Sequence, residues 1–501
     1  MAPDEDWRLP FDVVSSIMAV SSPPTVSALM RSCYILYEEG PRHLLCDGVV
    51  LHSEDVVRFT NFMLTKDPSR LSLLRKLELA FSFMDLILSL NRGIRQHLGR
   101  LLSQPALGLE TLVVRGASSV LSDDSSPPGS DALCSAFGKL DTLKHLVLLG
   151  VTGDNALIIR TLPSKLESVS ISLDHRHLFG GLRSARFDVL PTLQPFSGTL
   201  HTIHFRLEPS SPALSLLANA GSHAFPHVRT FGIVPNDSVT TLFASPAFAQ
   251  AFPALRHLQL IPPTDERYCF QWNRRLETAR RLRASNQAWR SERHGRSAFP
   301  ALQSLVECSG RLFEIYALAL DHPLATLRLW QRVDPEDIPI LREVLEDTHP
   351  AQLCISLDMS TTSLQIHAGA TSQLLALRAL LARPPPRVDL TISLPPAAAA
   401  PGMYTYTGVL TEFSRFSKAL IQPFPAGLAE LNLFIEFPSD AQPVERSETR
   451  RALAEFAKWA STAAPSLRLS CRVAVDSDWQ WPDLGQDDRL GNALFDVVGL
   501  A

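Results

Sequence analysis

Leu74-Arg75-Lys76-Leu77-Glu78-Leu79, Leu109-Glu110-Thr111-Leu112-Val113-Val114 and Leu143-Lys144-His145-Leu146-Val147-Leu148 spell one six-residue pattern, leucine-x-x-leucine-x-leucine. The pattern returns at Leu166-Glu167-Ser168-Val169-Ser170-Ile171, Leu200-His201-Thr202-Ile203-His204-Phe205, Val228-Arg229-Thr230-Phe231-Gly232-Ile233 and Leu255-Arg256-His257-Leu258-Gln259-Leu260. Later copies are Leu302-Gln303-Ser304-Leu305, Leu324-Ala325-Thr326-Leu327-Arg328-Leu329, Leu353-Cys354-Ile355, Val388-Asp389-Leu390-Thr391-Ile392, Leu428-Ala429-Glu430-Leu431-Asn432-Leu433 and Leu467-Arg468-Leu469. An extended backbone sends the alternating leucines to one side and the polar residues between them to the other. With the fourth position as marker, Leu77, Leu112, Leu146, Val169, Ile203, Phe231 and Leu258 succeed one another at 23 to 35 residues, the length of one strand plus one helix. Helical stripes fill the gaps, as in residues 55–64 and 374–381. Neither element buries its apolar face alone, but copies stacked side by side do.

The chain from 49 to 475 therefore resembles a leucine-rich repeat solenoid, an α/β architecture of strand-helix units. It departs from the regular repeat in unit length and in lacking, in most copies, the Asn or Cys that bonds exposed backbone after the strand. A conventional parallel α/β sheet is the alternative, since alternating strands and helices fit it too. Ser- and Pro-rich stretches at 118–130, 383–386, 395–402 and 438–443 read as insertions, because the leucine pattern resumes after each. The tail 476–501 carries six acidic residues against one arginine, with Trp479 and Trp481, and reads as an acidic cap.

The 501 residues hold 47 Lys and Arg against 51 Asp and Glu, a formal charge of -4, so bulk electrostatics favour neither nucleic acid nor an anionic membrane. The opening Met1-Ala2-Pro3-Asp4-Glu5-Asp6 is the reverse of a secretory signal. The most apolar run, Phe81 to Leu90, is too short to span a bilayer and is broken by Asp85. The seven cysteines are scattered and form no C-x-x-C pair, which reads as reduced thiols in an intracellular, cytoplasmic or nuclear protein without a zinc site.

No phosphate-binding glycine loop, nucleophile elbow or H-E-x-x-H appears, so no enzyme, cofactor or small-molecule ligand is expected. His175 and His177 read as a polar strand end. His201 and His204, three apart on a strand, face opposite ways and are not a ligand pair.

One segment is anomalous in charge. Residues 270–296 contain eight arginines against Glu277 and Glu292. Trp272, Leu276, Ala279, Leu282 and Trp289 recur at roughly helical spacing, so an inserted amphipathic helix is expected. Arg274, Arg275, Arg280, Arg281, Arg283 and Arg290 form either a surface for an anionic protein segment or a solvated face that offsets the acidic body, the second being favoured.

At the N-terminus, Pro10 stands where a helix starts without needing an N-H, and Val13, Val14, Ile17 and Met18 follow at helical spacing. Pro23-Pro24 resets the chain before a second stripe of Val26, Leu29, Met30, Cys33 and Tyr37, and Leu44-Leu45 suggest a further short turn. Residues 7–48 resemble an F-box, the segment that grips the small adaptor of cullin-RING ubiquitin ligases. The matching positions are Leu9-Pro10, Asp12, Val13-Val14, Ile17-Met18, Ser22-Pro23 and Cys33; Leu36, with Tyr37 beside it, stands where the family often has Trp.

The resemblance implies a substrate-recognition adaptor of a ubiquitin ligase. Leu9, Pro10, Val13, Val14, Ile17, Met18, Leu29, Met30, Cys33 and Tyr37 would serve the docking module, and the repeat surface would hold a protein substrate. A repeat scaffold with no ligase role, its helices only a cap, is the alternative. Exposure of Val13, Ile17 or Met18 would mark a docking patch, and their burial a cap.

Overall fold

The computed structural model describes residues 10–46, 48–64, 69–81, 91–117, 132–151, 155–173, 189–206, 223–234, 246–261, 272–292, 302, 304–330, 337–358, 385–393, 427–437, 458, 462, 466–475 and 495–497. The histidines at 175 and 177, the helical stripe 374–381, the Ser- and Pro-rich insertions apart from Pro385 and Pro386, and most of the tail lie outside them. The protein is α/β, and its chain divides into two compact units, residues 1–234 with 247–254 and residues 235–246 with 255–501.

In the first unit three helices lead, α1 (Phe11–Val20), α2 (Pro23–Met30) and α3 (Tyr34–Leu45). The expected short turn at Leu44-Leu45 is thus the end of a full helix that also takes Tyr37. Arg31 and Ser32 close α2, and Cys33, in an extended conformation, starts the chain afresh.

Strands and helices then alternate through β1 (Val49–Leu51), α4 (Val56–Leu64), α5 (Ser69–Leu73), β2 (Lys76–Ala80), α6 (Asn91–Leu102), β3 (Thr111–Arg115), α7 (Ala132–Phe137) and β4 (His145–Val151). After them come β5 (Ser168–Leu173), α8 (Val189–Leu193), β6 (Thr202–Arg206), β7 (Thr230–Ile233) and α9 (Pro246–Ala251). From β1 to β7 each strand pairs parallel with the next in chain order. The sequence markers fall in one row of the ladder, Leu77, Leu112, Leu146, Val169, Ile203 and Phe231 side by side, with Val49 ahead of them. The markers from Leu77 to Phe231 and the first-position residues Leu74, Leu109, Leu143, Leu166, Leu200 and Val228 are all sealed from solvent. Apolar burial at this density is the main source of stability. Phenylalanine replaces leucine toward the end of this unit, where Phe225, Phe231, Phe248 and Phe252 pack ring against ring with centroids 4.9 to 5.7 Å apart.

Between copies the backbone repeats one device. The carbonyl of the residue after the first leucine accepts two successive amides of the following copy: Arg75 from Glu110 and Thr111, Glu110 from Lys144 and His145, Lys144 from Glu167 and Ser168, Glu167 from His201 and Thr202. A second device uses side-chain hydroxyls. Thr142 and Thr199, each just before a first leucine, donate their hydroxyls to the first-leucine carbonyls of the preceding copies, Leu109 and Leu166, at 2.9 and 2.7 Å.

The second unit comprises β8 (His257–Leu260), α10 (Trp272–Glu292), β9 (Glu307–Gly310), α11 (Leu312–Leu318), β10 (Thr326–Leu329), α12 (Ile338–Thr348), β11 (Gln352–Asp358), β12 (Arg387–Ser393), β13 (Glu430–Phe437), β14 (Arg468–Val475) and β15 (Phe495–Val497). Strands β8 to β14 are parallel and sequential, and β15, in the acidic tail, pairs antiparallel with β14. Both backbone devices persist. Val306 and Glu307 share the Arg256 carbonyl, and Ser304 donates to Leu255 at 2.7 Å. At Pro386, which has no N-H, the Ala351 carbonyl keeps only the amide of Arg387.

The copy expected at 302–305 is shifted by three residues. Leu305 fills the first position, Cys308 the marker row between Leu258 and Leu327, and Gly310 the sixth. The glycine in the sixth position has a steric reason, since a Cβ on Gly310 would stand 2.7 Å from that of Leu260.

The hydroxyl device is testable in isolation. Thr199→Val keeps the shape and removes one donor to a buried carbonyl, so urea denaturation should show about 1 kcal/mol lost, with circular dichroism unchanged.

Candidate functional site

Pro10 caps α1 with its carbonyl, which accepts the amides of Val13 and Val14. From this start α1 carries two apolar stripes. Val14 and Met18 turn inward, and Met18 joins Val26, Met30 and Leu36 in a small core completed by Leu29, Tyr37, Leu44 and Phe62. Val13, Ile17 and Val20, spaced at one helical turn, face solvent together with Phe11, and Val20 is 87% exposed. On α3, Tyr34 and Ile35 are exposed as well. Of the expected docking residues, the structure thus leaves Pro10, Val13, Ile17 and Cys33 open, half-buries Val14, Leu29 and Tyr37, and buries Met18 and Met30. Leu9 lies outside the described residues.

Two close contacts fix the module. Helices α2 and α3 approach at Gly40, where a Cβ would fall 2.1 Å from Cγ of Met30. Arg70 of α5, a buried cation, lies with its guanidinium 4.9 Å from the Tyr37 ring centre and 4.8 Å from that of Phe62. One arginine thus ties α3 to the first strand-helix copy. Periodicity marks Arg70 as a surface residue, and sequence carries no signal for the ring faces that receive it. Arg70→Ala should cost the first unit about 2 kcal/mol in chemical denaturation, and Arg70→Lys should recover only part, because a lysine lacks the planar face that stacks on both rings.

The arginine-rich helix α10 forms as expected over most of its length, but part of its buried stripe is polar. Ala279 is buried together with Arg283 and Asn286, while Leu276 and Leu282 are only half-buried. The cause is the end of α11, where the Tyr316 carbonyl, which also takes the capping amide of Ala319, and the Ala317 carbonyl face α10. Arg283 donates to the Tyr316 carbonyl at 3.1 Å and Asn286 to that of Ala317 at 2.7 Å. The same guanidinium pairs with Asp347 and stands 4.3 Å above the Tyr316 ring. Arg283 therefore leaves the expected anionic-partner surface, whereas Arg280 and Arg281 are exposed. The side chains of Arg274, Arg275 and Arg290 lie outside the described part. Within α10, an arginine that neutralises an internal carboxylate cannot be told by composition from one that meets solvent.

The polar side of the second unit's strands holds the densest side-chain network. At its centre Asp389 of β12 accepts from Asn432 of β13 at 2.7 Å, from Arg387 at 3.1 Å and from Gln352 of β11. Arg387 also meets Glu430 at 3.5 Å. Partial burial pushes the Asp389 carboxyl upward, but the three donors outweigh it and hold the group below the ordinary range. The Cys354 thiol beside it is pushed up to about 12, chiefly by burial, and is no nucleophile at neutral pH. Two strands away Glu307 lies below its ordinary range, first through His257 and then through Arg328, against partial burial.

Because the folded carboxyl of Asp389 is the stronger acid, its contribution is present above the unfolded carboxylate range, near pH 4, and is lost as pH falls through the lower folded value. Thermal melts should therefore show stability dropping on acidification. Asp389→Asn, which sets an amide against three donors, should lose about 1–3 kcal/mol at neutral pH and weaken that acid dependence.

Among the described residues no group of three or more His, Cys, Asp or Glu side chains is placed to hold a metal, and no helix is long and apolar enough to cross a membrane. His204 sits buried in β6 with its ring against Gly232 of β7, while His201 precedes the strand and is exposed. A scan against protein-family models found no match, and a search of curated proteins found none.

Proposed function

We propose that the chain is a substrate-recognition adaptor of an F-box-type ubiquitin ligase, in which α1–α3 dock on the ligase's adaptor subunit and the strand-helix copies form leucine-rich repeats that bind a protein substrate. The observation that carries the docking half is the second apolar stripe of α1. Val13, Ile17 and Val20 add nothing to the module's own core, which Val14 and Met18 already serve. Contiguous apolar exposure of this kind on a folded protein marks a partner site. The residues Leu9 to Cys33 that resemble an F-box include this stripe.

The repeat half is supported by strand order. Within each unit the strands follow the chain without a reversal, as stacked copies require. A doubly wound sheet reverses at a switch point. Such a protein does no chemistry of its own; it holds its substrate near a charged conjugating enzyme and raises the local concentration.

A second reading, a repeat scaffold whose helices are only a cap, is favoured by one fact: Met18, Met30 and Arg70 bind the helices to one another and to the first copy. A pull-down with the purified ligase adaptor separates the two. Ile17→Asp with Val20→Asp changes only exposed side chains, so the double variant should keep its circular dichroism and thermal midpoint while losing the adaptor. Failure of the intact protein to bind would leave the scaffold reading.

A further inference from the structure

Strand β14 has eight residues and pairs along all of them with β13, from Arg468 beside Glu430 to Val475 beside Phe437. Its other edge is treated differently. There β15 pairs only with Cys471, Arg472 and Val473, and among the described residues Arg468, Leu469, Ser470, Ala474 and Val475 meet no strand on that side. The pairings from β8 to β14 are parallel, as strand-helix copies require, and β15 runs in reverse. It therefore lies on the sheet as an added strand and not as a further copy. Three residues of antiparallel pairing supply few hydrogen bonds, each a small net gain set against the entropy of ordering the segment. An extended chain that matched more of β14 would make more of the same bonds, so the short strand is one that a longer strand can replace.

The register states what fits this edge. Leu469 continues the buried marker row of Leu431, and Cys471 and Val473 follow at alternate positions, which puts all three on the core side of the strand and Arg472 on the polar side. Across from them β15 sets Val497 opposite Cys471, Phe495 opposite Val473 and Asp496 opposite Arg472. Apolar positions thus extend the core rows, and an acidic position lies opposite an arginine, each a favourable cross-strand combination. On β13 the residue in register with Arg472 is Phe434, so at this level of the sheet the acidic partner comes from β15.

We infer that this edge of β14 is a docking site for an extended partner segment, added antiparallel, in which an acidic residue stands between two apolar ones, and that Phe495–Val497 occupies the site in the partner's absence. The chain's own strand is the pattern for the ligand: it fixes the direction, the alternation and the place of the charge. A partner that pairs beyond the three positions gains backbone bonds that the resident strand does not make. The inference stands apart from the docking of α1 and from any ligase role.

The test is fluorescence anisotropy of the full-length protein with three labelled peptides: a copy of residues 490–501, a scrambled version, and a copy with lysine in place of the aspartate. Phe495→Pro with Asp496→Pro opens the edge, because successive amides of a strand point to opposite sides and one of the two prolines must remove a donor from the pairing. The opened variant should keep its circular dichroism and bind the copy saturably, at least about tenfold tighter than the intact protein, in which the resident strand competes. Adding Arg472→Glu to the opened variant should weaken the copy about tenfold and favour the lysine peptide instead. Adding Arg280→Glu, at an exposed arginine of α10, should do neither. Loss of the fold on opening makes β15 a fixed part of the sheet and overturns the inference. So does absence of binding to the opened variant, equal binding by opened and intact protein, equal binding of the scrambled peptide, or no preference for lysine after Arg472→Glu.

Discussion

The carbonyl two residues before the strand marker, receiving two amides from the next copy wherever proline does not remove one, is the interaction on which the rest depends. It sets strand spacing and register together, because both amides come from consecutive residues and leave no freedom to slip. With register fixed, one row of markers lines the core and the intervening positions are ordered as a polar surface. A slip of one residue would exchange the two faces, placing Asp389 in the core and Leu390 in water. The Asp389 network is therefore a product of the backbone ladder as much as of its own residue types.

The same ladder explains why the ends need special treatment. Among the described residues β1 pairs on one side only, with β2, and Val50 at its centre is exposed. An unpaired edge is a site where foreign strands add. This edge is kept to three residues, and α3 leads directly into it. At the other end of the chain β15 joins β14 in the opposite direction, which takes up one open row of backbone groups.

Much of this architecture was legible because leucine at alternate positions is a strong signal and each copy repeats it. Legibility failed where another residue took the leucine's place for a local reason. Gly310 fits a close approach to Leu260 and Cys308 takes the marker row beside Leu258, so β9 reads as a break and its copy appears three residues early. The three-residue β1 has no complete pattern to read. In α10 the failure is of another kind: Arg283 and Asn286 look solvated in sequence, yet they serve the end of a helix that lies some thirty residues further along the chain. The three N-terminal helices show the limit of periodicity most plainly. Val13, Val14, Ile17 and Met18 all recur at helical spacing, and only the position of Met30, Leu36 and Phe62 decides which pair turns inward.

The stacking of Arg70 between Tyr37 and Phe62 bears on the order in which the protein is made. Synthesis delivers α1, α2 and α3 first, and their small core stays open on one side until Phe62 follows and the guanidinium of Arg70 settles between the two rings. Until then Met18 already meets Val26, Met30 and Leu36, but the side of that core toward Tyr37 is uncovered; Phe62 and Arg70 close it from outside the three helices, so the module is finished by residues that belong to the first strand-helix copy.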